Sequence, residues 1–343
     1  MRSTTLPPDL RSIAREATRD GVTPKPQRTA TISGLGHWIP AEVVPNSVIG
    51  DRLGVDDAWI VKRTGVHTRR RAAPNERLSD MATWAAKRAL SDAGIDAYDI
   101  DLVLVATMSQ DEITPNTAPL VAHALGAERA GAMDIGAACS GFLAALRMAA
   151  GQVETGRAER VLVIGAEALS RLTNYDDPKT AHLFADGAGA VVISAGGPGV
   201  MGEIGPIMLA ADGSLGSAIT CDYDDRLIKM DGHSTYQVAV KRLSEATVSA
   251  VARAGLELED VDLFVYHQAN GRIIRAVGER LDLEPAKVAD YVAHMANTSA
   301  ASVPLTLSLL REDSRLRPGH KVLVAAIGAG FTWGAGIVEW GIS

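Results

Sequence analysis

Three side chains in this 343-residue sequence stand where covalent chemistry could be done: Cys139, His267 and Asn297. Cys139 ends a short apolar run, and the stretch SGFLAALRMAAGQVE after it has the periodicity and Ala/Leu content of a buried helix. The sulfur is therefore expected at a helix N-terminus, where free amides and the helix dipole stabilise a thiolate, so that position alone would activate it. Its neighbours Gly136, Ala137, Ala138, Ser140 and Gly141 are small enough to admit a substrate and allow a tight corner. Cys221 lies instead among Asp222, Asp224 and Asp225, which do not favour a thiolate. His267 closes the run DLFVYHQAN, at the C-terminal end of a strand, where α/β folds carry functional groups. Asn297 lies in MANTSAAS, just before a predicted helix. Taken singly, each has a bland reading: an inert buried cysteine, a satisfied core histidine, a helix-capping asparagine. Taken together they suit one reaction. A thiolate accepts an acyl group without a strong base, and removing CO2 from a malonyl thioester needs donors on the enolate oxygen, which a neutral imidazole and an amide supply.

Two glycine-rich stretches bear on the same chemistry. AAIGAGFTWGAG, with Gly328, Gly330, Gly334 and Gly336, follows a buried strand, so its backbone amides could approach a ligand and complete an oxyanion hole with the amide of Cys139. A C-terminal hairpin that needs glycine turns would look the same. FADGAGAVVIS has glycines that do not fit a P-loop and leads into a strand, which argues against nucleotide binding.

Positioning these groups requires strands and helices in alternation, and from Ala30 onward the chain has that rhythm. Leu102–Ala106, Val161–Gly165, Ala190–Ser194, Leu263–Tyr266 and Val322–Ile327 are apolar on both faces, as central strands are. AGIDAYDIDLVLVA from Ala93 resembles AGLELEDVDLFVYH from Ala254, and Val161 of RVLVIG matches Val322 of KVLVAA; both pairs stand 161 residues apart. A constant offset implies two halves with one supersecondary plan. It also maps Cys139 onto Ala300, so the corners bearing residue 139 and the 297 region should meet at a pseudo-twofold axis. The expected division is an N-terminal extension over 1–28, a first half over 29–197 with the cysteine, and a second over 198–343 with the histidine and asparagine. Scattered prolines (Pro7, Pro8, Pro24, Pro26) mark the extension as loosely attached, with a short helix near Leu10 to Ala17.

Composition sets the remaining bounds. Hydrophobic residues make up 47% and aromatics 4%, which suits closely packed helices and sheets and disfavours base-stacking nucleic-acid readers. A net charge of −7 gives no general attraction to nucleic acid or anionic lipid. Two cysteines allow neither a disulfide framework nor a metal-type spacing. With no apolar run of the roughly 20 residues a membrane helix needs and no secretory stretch, a soluble cytoplasmic protein is expected, without metal.

ACSGF around Cys139, YHQANGRII around His267, ANTSAASVP around Asn297 and GAGFTWG near the end resemble the β-ketoacyl-acyl carrier protein synthase III family. WIVKRTGV and FADGAGA extend the likeness from about residue 29 to the end. The resemblance implies the α/β thiolase fold, two similar halves in a five-layered αβαβα sandwich, usually as a homodimer. It implies an acyltransferase that uses acyl-CoA and malonyl-acyl carrier protein as substrates, with no separate cofactor. By the same resemblance Cys139 is the acylated nucleophile, His267 and Asn297 support decarboxylation, and Ala329, where the family has a glycine, offers its amide beside that of Cys139. Trp59 and Arg63 would meet the adenine end of CoA. Gly232, His233, Ala269 and Asn270 would lie along the pantetheine arm. Phe184, Ile228 and Met230 would line the acyl pocket, which Thr114 closes from the partner subunit; a residue this small permits a longer or branched starter. Arg272, Arg275 and Arg280 would dock the carrier protein.

Some positions depart from the family pattern. Pro178 next to Lys179 stands where an arginine often grips CoA phosphate, and His233 replaces a common asparagine. Such differences suggest a starter-selecting relative in polyketide assembly rather than a housekeeping fatty-acid initiator. Three other readings compete. A non-decarboxylating acyltransferase to an alcohol, amine or thiol would not need Asn297; a papain-like hydrolase would not be duplicated; a non-catalytic partner subunit would be expected to lack the nucleophile.

Overall fold

The computed structural model describes residues 6–19, 28–196 and 202–341. After helix α1 (Pro8–Arg19), the first half runs β1 (Thr29–Trp38), β2 (Glu42–Pro45), α2 (Asn46–Leu53), α3 (Asp57–Thr64), β3 (Thr68–Arg71) and α4 (Leu78–Ala93). It continues with β4 (Leu102–Ala106), α5 (Thr117–Leu125), β5 (Gly131–Ile135), α6 (Gly141–Glu154), β6 (Arg160–Ala168) and β7 (Asp186–Gly196). The second half comprises β8 (Met208–Ala211), β9 (Ile219–Cys221), β10 (Ile228–Met230), α7 (Gly232–Arg253), β11 (Leu263–Tyr266), α8 (Gly271–Arg280), α9 (Val292–Met295), α10 (Ser302–Glu312), β12 (Lys321–Gly328) and β13 (Thr332–Glu339).

The duplication expected from the sequence is present element by element. β4 and β11, β6 and β12, and α6 and α10 begin 161 residues apart, as do the 3-10 turns Ala138–Ser140 and Ser299–Ala301. The first half forms a five-stranded sheet in the order β1-β7-β6-β4-β5 and the second a four-stranded sheet in the order β11-β12-β13-β8. One apolar core packs α4 and α5 on the outer face of the first sheet, and another packs α7 and α8 on that of the second. Between the sheets lie α6 and α10, whose buried Phe142, Leu143, Leu146, Val303, Leu307 and Leu310 touch both. This is the five-layered αβαβα sandwich. α10, apolar or small until its last two residues, and the broad apolar face of α6 are buried because sheets cover them on two sides.

Two glycines let the halves close. A Cβ on Gly165 of β6 would stand 2.2 Å from the carbonyl oxygen of Ala300, and one on Gly328 of β12 would stand 2.6 Å from the amide nitrogen of Cys139. Each half therefore presses a bare backbone against the other half's corner.

Two expectations are corrected. Leu263–Tyr266 is an edge strand rather than a central one; it reads as central because it is buried, with Phe264 bridged in parallel to Val288 and Leu263 and Val265 in the interlayer core. The extension is not loose over its described part. Leu10 is fully buried in the second-half core, whose margin takes Leu6, Ile13 and Ala14, and Asp9 forms an ion pair with Arg280 of α8. The proposed division at 197/198 lies outside the described residues, as does most of the remaining extension.

The Gly165→Ala substitution should lower stability by about 3 kcal/mol, because the new methyl meets backbone rather than a movable side chain. Urea unfolding measures this, and an unchanged midpoint would show that the seam opens freely.

Candidate active site

The chain passes from β5 to α6 through the corner that bears Cys139. Ala138 takes φ 44°, a left-handed value unusual for a residue with a side chain, and Ser299 in the equivalent turn takes the same value. Neighbouring contacts hold the first corner in place. Ser140 Oγ bonds the carbonyl of Ala137 at 2.8 Å and pairs with Thr332 Oγ1 at 2.8 Å, which ties the corner to β13. Gly328 brings β12 against the amide of Cys139 and sets Ala329 on the wall of the same cavity.

Asn297 is fixed from both sides of its backbone. Its N–H donates to Leu183 O at 3.0 Å and its carbonyl accepts from Ala185 N–H at 2.9 Å. The side-chain Oδ1 accepts the Ser299 N–H at 2.8 Å, which leaves the Nδ2 group as the donor for a ligand. His267 follows β11, and its N–H extends the ladder to Ala325 O at 2.8 Å. Its ring Nδ1 is buried without a partner, so Nε2 is the nitrogen that can serve the cavity. Gln268 next to it is structural: it donates to Tyr266 O and Ala289 O, and accepts from Tyr291 N–H.

Cys139, His267, Asn297 and Ala329 all line one cavity of about 730 Å3. The corner expectation thus matches their placement. The interior end is apolar, walled by Leu169, Leu183, Phe184 and Ile228, with Met108, Ile219, Cys221 and Met230 against them. Toward the mouth stand Trp59, Arg63, Lys179, Gly232, His233, Ala269, Asn270 and Arg272. The Arg63 guanidinium lies 3.8 Å from the Trp59 ring centre. The Asn270 side chain caps α8 through Arg272 N–H and donates to Arg63 O at 3.1 Å, so part of its polar capacity is already used.

Burial governs the electrostatics. Cys139 opens partly on the cavity, yet desolvation dominates, with a smaller push from the Glu167 carboxyl, and moves its thiol up to about 12. Burial thus opposes the activation expected from the terminus of α6, which starts beside the corner and where Ser140 offers no side-chain cap. Desolvation moves His267 down to about 3, so it is neutral at working pH. Glu167, buried near the end of β6, is raised to about 7 by desolvation.

Several predicted residues fall elsewhere. Thr114 is exposed in the loop before α5 and off the cavity of its own chain, so any role in the pocket needs a second subunit. Arg275 is exposed and off the cavity, while Arg280 is held by Asp9. Sequence reasoning missed Leu169, Leu183, Met108 and Ile219, which carry no chemical signal. It passed over Cys221, whose acidic neighbours Asp222 and Asp225 are drawn to Lys229 while the thiol faces the wall. Glu167 did leave a signal, a carboxylate inside RVLVIGAEA. No group of three His, Cys, Asp or Glu among the described residues can hold a metal, and no described helix is long and apolar enough to cross a membrane.

A neutral imidazole, an oriented amide, a buried thiol and two neighbouring backbone segments at one cavity define a thiolase-fold acyltransferase of the condensing class. The model for the 3-oxoacyl-[acyl-carrier-protein] synthase III C-terminal region matches residues 251–340, and that for the 3-oxoacyl-[acyl-carrier-protein] synthase III family matches 133–213. β-Ketoacyl-[acyl-carrier-protein] synthase III of Geobacillus kaustophilus is 41% identical over 91% of this chain and 99% of its own. Synthase III 3 of Streptomyces coelicolor is 40% identical over 91% and 98%. The crystal structure of the Aquifex aeolicus synthase III has a TM-score of 0.88 at 38% identity, covering 91% of this chain and all of the other. The priming β-ketosynthase of the R1128 polyketide pathway also reaches 0.88, at 34% identity over 94% of this chain and all of its own. The chain belongs to the β-ketoacyl-acyl carrier protein synthase III family.

The folded pKa of His267 lies below its unfolded value of 6.5, so its contribution to stability is complete above that pH and is lost as pH falls from 6.5 toward about 3. Its NMR signals should stay in the neutral position from pH 8 to pH 5, whereas a titration midpoint near 6.5 would contradict the burial argument.

Proposed function

We propose that this protein performs a decarboxylative Claisen condensation in which an acyl group from acyl-CoA is loaded on Cys139 and joined to malonyl-acyl carrier protein. The product is a 3-oxoacyl-acyl carrier protein that starts a fatty-acid or polyketide chain. The observation that carries this reading is the shared cavity: Cys139, His267, Asn297 and Ala329 line one space with an apolar end and a basic, aromatic mouth.

The geometry supports the following steps. CoA enters with its adenine end at Trp59 and Arg63, its phosphates near Lys179 and its arm along Gly232, His233, Ala269 and Asn270. Cys139 sulfur attacks the thioester carbonyl, and the amides of Cys139 and Ala329 receive the oxyanion. CoA leaves, and the acyl chain lies toward Phe184, Ile228 and Met230. Malonyl-acyl carrier protein then docks by Arg272 and Arg275, with Arg280 excluded by its pairing to Asp9. As CO2 departs, His267 Nε2–H and Asn297 Nδ2–H hold the enolate oxygen, and the enolate carbon attacks the Cys139 thioester. Neither donor needs a charge, which suits a histidine that burial keeps neutral. The oriented Asn297 favours this over plain acyl transfer, which would use no enolate donor. The protein acts as a cytoplasmic homodimer, with Thr114 closing the partner's acyl pocket.

Intact-protein mass spectrometry with a panel of acyl-CoAs should show one acyl group on the wild type and none on Cys139→Ala. Asn297→Ala should keep acylation but release CO2 from malonyl-acyl carrier protein on the order of 100-fold more slowly. Turnover of the wild type without CO2 release would replace the reading with the non-decarboxylating one.

A further inference from the structure

Helix α1 is an addition to the plan of the relatives. The Geobacillus kaustophilus synthase covers 91% of this chain and 99% of its own length, and the likeness starts at about residue 29, after α1 has ended. The added helix is nevertheless seated on the molecule. Leu10 is fully buried and Ala17 nearly so, while Leu6, Ile13 and Ala14 pack at the margin of the core formed with α7 and α8. Asp9 is the neighbour of Leu10, so its place is set by a buried anchor rather than by its own exposed side chain.

The two helices beneath α1 also rim the cavity mouth. Their first turns contribute His233, Thr235 and Tyr236 on one side and Arg272 and Ile273 on the other, with the Arg272 guanidinium 5.4 Å from the Tyr236 ring centre. Along α8, Ile273, Ile274 and Val277 turn inward, which leaves Arg272, Arg275 and Glu279 exposed. At about 100° per residue, Glu279 comes within about 20° of Arg272, two turns further along the same stripe. Arg280 lies about 80° round from Arg272, on the flank, and about 12 Å along the axis. There Asp9 forms an ion pair with it, and Asp9 is its one ion-pair partner among the described residues. The cationic ground on α8 therefore stops after Arg275: the next outward charge is the acid Glu279, and the next cation is already neutralised.

We propose that α1 selects the carrier protein, holding Arg280 away from the outward stripe of α8 so that docking is limited to a carrier whose acidic surface is short. Such a carrier is met by Arg272, Arg275 and the exposed Arg63 and Lys179 of the mouth. A carrier whose acidic surface runs the length of α8 meets Glu279 and Asp9 instead of a second pair of cations, and like charges turn it away. The role of α1 rests on the carrier-protein docking proposed above. The mask is a single contact. Arg280 Nε is buried with no hydrogen-bond partner, so without Asp9 the guanidinium gains by swinging out into water on the exposed stripe.

The test is the affinity for the holo form of a fatty-acid acyl carrier protein, followed by fluorescence anisotropy. Asp9→Ala should bind it about threefold more tightly than the wild type at low ionic strength, and the gain should vanish at about 0.5 M salt. Asp9→Asn, which removes the charge and keeps the shape, should do the same. Arg280→Ala should bind like the wild type, and the double variant Asp9→Ala/Arg280→Ala should lose the gain. Acylation of Cys139 by acyl-CoA, which uses no carrier, should be the same in all of them. Unchanged affinity in both Asp9 variants overturns the proposal, as does a gain that survives in the double variant or a change in acylation, either of which would mean that α1 acts through the fold. Arg280→Ala that weakens binding as Arg272→Ala does would show Arg280 already in use and overturns it whatever the Asp9 variants do. If Arg272→Ala binds like the wild type, the carrier docks elsewhere and the docking step of the proposed function falls with the role of α1; if Arg272 is needed and Asp9 is not, the role of α1 alone falls.

Discussion

The site depends on one contact: bare backbone of each half pressed on the corner of the other. Gly165 meets the turn that begins at Ser299, and Gly328 meets the turn that holds Cys139. No side chain fits at either point, so the two corners can lie side by side with their left-handed residues, Ala138 and Ser299, facing a common space. The proposed nucleophile, enolate donors and oxyanion amides all lie at the ends of strands that this seam aligns. Loops could not hold them as closely, and the buried helices between the sheets supply the stiffness.

The same closeness that places the groups also removes water from them, and the consequences run in one direction. The thiol is made a weaker acid, the imidazole a weaker base and the Glu167 carboxyl harder to ionise. A neutral histidine is what enolate stabilisation asks for, since it donates without being charged. Burial of the thiol works against its ionisation, so under the proposed chemistry desolvation favours the enolate step more than the nucleophilic one.

Much of this was legible in the sequence. The 161-residue offset survives because both halves must solve the same packing problem, and Cys139, His267, Asn297 and the glycines near the C-terminus are marked by their setting at strand ends. What was not legible depended on partners distant in the chain. Leu263–Tyr266 is buried by a bridge and neighbouring layers rather than by strands on both sides. Arg280 looks free until Asp9, from an extension with few helix signals, reaches it. The helix-terminus argument for Cys139 weighed a local dipole and could not weigh the surrounding protein that strips the sulfur of water. Thr114 illustrates a further limit: within its own chain it lies exposed and off the cavity.

The most direct measurement is a crystal structure of the protein carrying an acyl group on Cys139. The acyl oxygen should lie between the amides of Cys139 and Ala329, the chain should run toward Phe184 and Ile228, and His267 Nε2 and Asn297 Nδ2 should face the thioester from the other side. An acyl carbonyl turned away from Ala329, or a thioester out of reach of both donors, would show that the seam does not assemble a single site.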